Sequence, residues 1–292
     1  MVLVNPFESE GRWYKANLHT HTSTSDSSVS VFERIEQYKQ AGYDILAITD
    51  HRVTNYTEGL SREDFVVIGG IETHPFCPNN DEVYHLVGLN VPYELRLSEE
   101  QDGNEQIRII KEAGGEVVFG HPYWNGFNIN DMLALDGYIA IEVYNATSTK
   151  IGKGFSSVQW DDLLDAGRVV GGLAVDDVHG GRDIFMGWSW IRAKELTIDS
   201  VMESLRRGCY YASCGPVIED FRIAEGRAQL RCSPAAEVHF MAQRWHGTSY
   251  YADGGEPITQ AGCDLYGDWK YVRAEVVDAG GNHAWANPIF LI

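Results

Sequence analysis

Seven short apolar runs punctuate the first two thirds of the chain, and most of them end on a histidine or a carboxylate. "ANLHT" leads into His19 and His21, "DILAITDH" into Asp50 and His51, "FVVIGGIET" into Glu72 and "EVVFGHP" into His121. "YIAIEVYN" carries Glu142, "RVVGGLAVDDVH" ends in Asp177 and His179, and "YHLVGLNV" begins beside His85. Short apolar runs bounded by polar residues are strand-like, and most of these are followed by an amphipathic segment. "VSVFERIEQYKQAGY" places Val31, Ile35 and Tyr38 at helical spacing, with Ser28 or Ser30 available as a cap; "NEQIRIIKEAGG", "SVQWDDLLDAG" and "TIDSVMESLRRG" also predict helices. This alternation predicts an α/β fold, a parallel barrel of about seven strands. "YHLVGLNV" follows its predecessor too closely for a helix, so the alternation is irregular there. A barrel gathers its chemistry at the C-terminal ends of its strands, where His19, His21, Asp50, His51, Glu72, His121, Glu142, Asp177 and His179 stand.

Past Gly215 and Pro216 the pattern changes to apolar–polar alternation with Gly-rich turns, and "YVRAEVVDAGGNHAWANPIFLI" reads as a hairpin around "DAGGNH". Residues 1–216 are therefore expected to form the barrel, and residues 217–292 a small antiparallel β domain packed on it.

The net charge is −19, from 42 acidic and 23 basic side chains. That field repels phosphate backbones and anionic membranes, so neither nucleic acid nor a lipid surface is the expected partner. The five cysteines form no CxxC pair, and they read as reduced thiols of a cytoplasmic protein. No apolar stretch has the length of a signal-peptide core or a membrane span.

His19 and His21, one residue apart, point to the same face in an extended chain. Two imidazoles side by side are costly unless something binds both, and a metal ion would. His19, His21, Asp26, His51, Glu72, His85, His121, Asp177 and His179 form a mixed imidazole–carboxylate set of the kind that zinc, manganese or iron favours. Nine donors exceed the needs of one ion. Two or three divalent ions are implied, with Glu72 the candidate bridge.

In order and spacing, "HTH", "TDH", "GIE", "HLVGL", "GHP" and "DVH" resemble the polymerase-and-histidinol-phosphatase (PHP) family of metal-dependent phosphoesterases, over roughly residues 12–216. The resemblance implies a distorted seven-stranded, TIM-like barrel. It also implies one metal on His19, His21, Glu72 and Asp177, a second on Glu72, His85 and His121, and a third on Asp26, His51 and His179, with Asp26 at a position held by His or Asp. The layout with a C-terminal β domain and the "AWANPI" ending resembles the carbaryl-hydrolase-like subgroup. The expected reaction is hydrolysis of a small phosphate ester by a metal-bridged hydroxide, with Glu72, Asp177 and His179 as the catalytic residues. The alternative keeps the metals and cleaves a carbamate, carboxylic ester or amide. A regulatory metal module is disfavoured because the ligand set is complete.

Other residues carry two readings. Arg52 and Arg182 are candidates to neutralise a substrate phosphate, or surface ion-pair formers. Glu142 reads equally as hydrogen-bonding support for a ligand histidine or as plain structure, and His74 reads as a turn residue before Pro75. Tyr123 and Trp124 either wall the pocket or pack in the core. "IGKGFS" lacks phosphate-loop spacing and a preceding strand, which rules out nucleotide binding there.

Overall fold

The computed structural model describes residues 3–291, so the outer limits of the two expected domains, 1 and 292, lie outside the described residues. The chain is a mixed α/β protein built on one large sheet with six α-helices among the described residues. The seven apolar runs form β1 (Arg12–Asn17), β2 (Ile45–Ile48), β3 (Val66–Thr73), β4 (Leu86–Leu89), β5 (Glu116–Phe119), β6 (Ala140–Asn145) and β7 (Gly171–Val175). They neighbour one another in that order. Hydrogen bonds from Asp177 N to His19 O and from His21 N to Val178 O then link the chain beyond β7 to the chain beyond β1.

Pairing is parallel from β1 to β3 and from β5 to β7, but β4 runs antiparallel to both β3 and β5. This corrects the expectation of an all-parallel path. The twelve residues between β3 and β4 are largely taken up by a hairpin of two short strands (Phe76–Cys77 with Glu82–Val83) and hold no helix. A parallel return needs a crossover of about a dozen residues or more, usually helical; here the hairpin uses up that length and the chain turns back.

The helices are α1 (Val31–Gln40), α2 (Gly103–Glu112), α3 (Pro122–Asn125), α4 (Ile129–Leu133), α5 (Ser157–Asp165) and α6 (Ile198–Arg207). Ser30 caps α1 in a reciprocal box with Glu33; Asp102 and Thr197 cap α2 and α6. Every residue of β2, β3 and β4 is buried. Each Val, Ile or Leu so buried contributes about 1.5–3 kcal/mol, which makes these strands rigid supports for the loops at their ends. Gly70 is required in β3: a Cβ there would lie 2.5 Å from the Gly88 carbonyl oxygen and 2.8 Å from the Thr49 methyl.

Beyond β1 the sheet continues with Trp188–Ala193, Tyr210–Ser213, His283–Ala286, Tyr271–Val277, Glu237–Met241 and Gly247–Tyr251. The hairpin around Asp278–Asn282 is present, and its second strand pairs antiparallel with Tyr210–Ser213. Ile218–Ala224, Arg227–Ala235 and Ile258–Asp264 form a separate three-stranded antiparallel sheet. Among the described residues no helix is long and apolar enough to cross a membrane.

Candidate metal centre

Glu72 is fully buried near the end of β3, and its two carboxylate oxygens face different imidazoles. Oε2 lies 3.4 Å from Nε2 of both His19 and His21 and 2.7 Å from Nδ1 of His51. Oε1 lies 2.6 Å from Nδ1 of His85 and 3.4 Å from Nε2 of His121. Asp177 closes the opposite side, with Oδ1 3.3 Å from His19 Nε2 and 2.9 Å from His21 Nε2. Asp26 stands at the rim, its Oδ2 3.4 Å from His51 Nε2 and 3.2 Å from His179 Nε2.

All nine side chains named from the sequence come together here. Their donor atoms fall into three clusters: His19, His21, Glu72 and Asp177; Glu72, His85 and His121; and His21, Asp26, His51 and His179. Two further clusters, His19–His121–Glu142 and His51–Glu72–His74, draw in residues outside the nine.

The loops bearing these donors are held by buried acids. Asp50 accepts hydrogen bonds from Thr22 N, Thr22 Oγ1, Ser25 Oγ and Asn55 Nδ2, which shapes the turn that presents Asp26. Asp176 accepts from the Tyr38 hydroxyl and from the amides of Phe185, Met186 and Gly187. Burial pushes its carboxyl up to about 6 despite those donors. Asp183 accepts from His179 N, Thr147 Oγ1 and Lys150 Nζ. His121 and Asp177 adopt positive φ, 22° and 53°, as does Arg52 at 58°. Strained backbone of this kind concentrates at sites where the surrounding structure dictates where a side chain points.

Electrostatics follow from crowding. Burial disfavours charge on Glu72 and Asp177, but the surrounding imidazoles outweigh it and hold both well below the usual carboxylate range. Burial also opposes protonation of His19, yet the charges of Asp177, Glu142 and Glu72 hold it well above its ordinary value. For His121 the same contest ends at about 9. At His21 and His85 burial wins, and both are lowered. Burial takes His74 down to about 3. These carboxylates thus remain charged, and either protons or cations must neutralise them.

The donor set fits divalent metal ions. Glu72 Oε2 and His21 Nδ1 are buried without any hydrogen-bond partner, an arrangement that costs about 1–3 kcal/mol per group unless something binds there. His19 Nε2 and His21 Nε2 approach to 3.1 Å, with carboxylate oxygens on either side. Nitrogen and oxygen donors of this mixture suit zinc, manganese or iron.

The cavity above the cluster is about 290 Å³ and is lined by Asp26, His51, Glu72, His85, His121 and Asp177, with Trp124, Thr147, Ser148 and His179. Trp124 meets His85 and His121 edge-on, so of its two readings the pocket wall is the one observed. Tyr123 is exposed and lies outside the lining. Neither Arg52 nor Arg182 lines the cavity. Arg52 turns to the neighbouring depression beside Glu99, because its left-handed backbone directs it off the cluster, and Arg182 is exposed.

Sequence reasoning left Glu142 undecided and gave His74 to a turn. Glu142 accepts from His19 Nδ1 at 2.6 Å, from His121 N at 2.9 Å and from Asn145 Nδ2 at 2.8 Å. Its place in the strand-end series was the available signal. Asn125, whose Oδ1 lies 2.9 Å from His121 Nδ1, left no sequence signal.

This combination defines an α/β protein with a histidine–carboxylate cluster at one end of its strands, and a solved structure shares the fold. The chain is similar to a two-domain protein from Bacteroides vulgatus containing a predicted PHP-like metal-dependent phosphoesterase, at 14% identity and a TM-score of 0.55, covering 95% of this chain and 93% of that one. It is less similar to a candidate metal-dependent phosphoesterase from Bifidobacterium adolescentis (16% identity, TM-score 0.46, 66% and 96% covered). An amidohydrolase from Chromobacterium violaceum with bound sulfate and no metal is comparable (16%, 0.45, 56% and 87%). No family model matches the sequence, and no curated protein matches it. The Bacteroides likeness runs over nearly both whole chains and places this protein in the PHP-like fold.

Proposed function

We propose that this chain is a PHP-type metal-dependent hydrolase whose substrate is a small phosphate ester. The observation that carries the reading is Glu72: one buried carboxylate whose two oxygens face separate imidazole sets inside a single cavity. In this reading β1 to β7 form the distorted seven-stranded barrel, residues 1–216 are the metallohydrolase unit, and residues 217–292 are a β unit beside it. Two or three divalent ions would be held by the three donor clusters. When bound, they would supply positive charge that acidifies a water molecule and polarises the oxygen of the scissile group.

The chain's own residues supply the rest. Glu142 and Asn125 fix the His19 and His121 rings from behind. Trp124 restricts solvent at the cavity wall, and the Thr147 and Ser148 hydroxyls are available to bind substrate oxygens. Of the expected catalytic residues, Asp177 is the one proposed to take a proton; His179, whose Nδ1 donates to the Asp177 carbonyl and whose Nε2 faces Asp26, would serve as a ligand. The five cysteines are free thiols, which supports a cytoplasmic setting, and the acidic balance supports a small-molecule substrate over nucleic acid or a membrane.

Elemental analysis of the purified protein, followed by a phosphate-release screen with added manganese or zinc, tests the proposal. Changing His19 or Glu72 to Ala lowers bound metal and turnover together; turnover that persists in metal-free protein overturns it. One observation favours the second reading, a carbamate, carboxylic ester or amide substrate: neither Lys nor Arg lines the cavity to meet a phosphate dianion. Aryl carbamates assayed beside phosphomonoesters separate the two.

A further inference from the structure

We propose that His74 is a positioning residue of the metal centre, orienting His51 so that its Nε2 lone pair faces Asp26 and His179. The inference rests on the reading of Asp26, His51 and His179 as a cation-binding group.

An imidazole that offers one nitrogen to a metal must carry its hydrogen on the other, and the partner of that hydrogen fixes the ring. His51 Nε2 lies 3.4 Å from both Asp26 Oδ2 and His179 Nε2, so its hydrogen belongs on Nδ1. Nδ1 has two neighbours. Glu72 Oε2 is nearer, at 2.7 Å, but off the direction of a hydrogen bond; that oxygen has no hydrogen-bond partner at all. His74 Nε2, at 3.2 Å, does have hydrogen-bond geometry. In the proposed arrangement His74 accepts from His51 and carries its own hydrogen on Nδ1, which is buried without a hydrogen-bond partner.

Three other candidate ligands have a partner behind the ring, as His51 does in His74; His21 Nδ1 has none, and His85 Nδ1 faces Glu72. His19 Nδ1 meets Glu142 at 2.6 Å, His121 Nδ1 meets Asn125 Oδ1 at 2.9 Å, and His179 Nδ1 donates to the Asp177 carbonyl at 2.8 Å. Without His74, His51 would be the one of these four rings whose Nδ1 lacks a well-directed hydrogen-bond partner, Glu72 Oε2 standing near but off its direction. His74 is built to hold still: its side chain is 5% exposed, its ring stacks edge-on against His85 with centroids 4.3 Å apart, and Pro75 confines its backbone to extended conformations. Fixing matters most in this group, because its ligands are the least buried, with Asp26 48% and His51 and His179 26% exposed. His51, Glu72 and His74 do not make a separate cation site, since Glu72 Oε2 already faces His19 and His21.

The test is zinc uptake by the full-length chain, followed with a chromophoric competitor and by elemental analysis after gel filtration. Asp26→Ala identifies which equivalent belongs to this group. Wild type is expected to take up three equivalents. His74→Leu should lose the Asp26-dependent equivalent, or bind it about 10- to 100-fold more weakly, and keep the other two. His74→Gln, whose side-chain oxygen can accept the His51 N–H, should restore it. If the Leu variant does not fold, His74→Phe carries the same test with a ring that lacks an acceptor. Three equivalents at wild-type affinity in the Leu or Phe variant overturn the inference, as does failure of Gln to restore binding. A wild-type chain that takes up only two equivalents at saturating zinc overturns the reading of the Asp26 group itself, and the inference with it.

Discussion

Replacing Glu142 with Gln isolates the support behind the cluster from the cluster itself. Glu142 is buried, does not line the cavity, and accepts from three donors at once: its Oε1 receives the His19 Nδ1 hydrogen at 2.6 Å, and its Oε2 receives the His121 amide at 2.9 Å and Asn145 Nδ2 at 2.8 Å. A Gln there keeps one acceptor oxygen and turns an NH₂ toward a group that is already a donor. Whichever way the amide sits, one contact becomes donor against donor and the other loses its anionic acceptor. A hydrogen bond to a charged group contributes about 1.5–3 kcal/mol. At about 1.4 kcal/mol per tenfold, that predicts a loss of about 10- to 100-fold in zinc affinity or in kcat. KM should change little, because Glu142 does not line the cavity. The assay is competitive zinc titration beside steady-state kinetics, with melting temperatures to show that the variant folds. Wild-type zinc affinity together with wild-type kcat would refute the reasoning and leave Glu142 a purely structural buried acid.

Three other substitutions probe the fold and the cavity. Glu275 is buried; burial would raise its pKa, but its hydrogen bond with His283 and the charge of Arg273 hold it below its ordinary value. A carboxyl depressed in the folded state stabilises above its unfolded pKa of about 4.3 and loses that contribution as pH falls through the folded value. The melting-temperature gap between wild type and Glu275→Gln should therefore be full near pH 7 and shrink on acidification; a gap that is constant with pH counts against the network. Gly70→Ala forces a Cβ against the Gly88 carbonyl and should cost about 1–3 kcal/mol or more, read as a lower melting temperature with metal loaded. Trp124→Ala removes edge-on contacts with His85 and His121 and part of the cavity wall, and should raise KM several-fold, in line with about 1 kcal/mol per aromatic contact; an unchanged KM would place substrate elsewhere.

The donor set was legible because it sits where the chain has least freedom. Most of the histidines and carboxylates come at or just after the end of an apolar run, and a buried strand delivers its terminal residues to one end of the sheet. His85, which precedes β4, reaches that end because β4 runs antiparallel, and Asp26 is brought there by its loop. Helix limits were legible for a similar local reason, since Ser30, Asp102 and Thr197 are capping residues directly before periodic apolar positions. Trp188–Ala193 was not. Its buried residues are Ser189, Ile191 and Ala193, while both tryptophans lie on the half-exposed face, so the segment has no apolar run to announce it. The strand exists because β1 and Tyr210–Ser213 pair with it from either side, which is long-range information.

The same distinction separates ligands from their supports. Whether a histidine can bind metal is a property of its side chain and its place at a strand end, but whether it does depends on what touches its second nitrogen. Those partners come from residues 123 positions away for His19, 23 for His51, 4 for His121 and 2 for His179. No sequence spacing links such separations, because the fold supplies each partner from whichever element passes behind the ring. Arg52 makes the converse point. It is adjacent to a ligand in sequence, yet its left-handed backbone turns it to another depression. Proximity along the chain therefore predicts the donors of this centre, while the geometry that would make them bind is set by register and turn conformation.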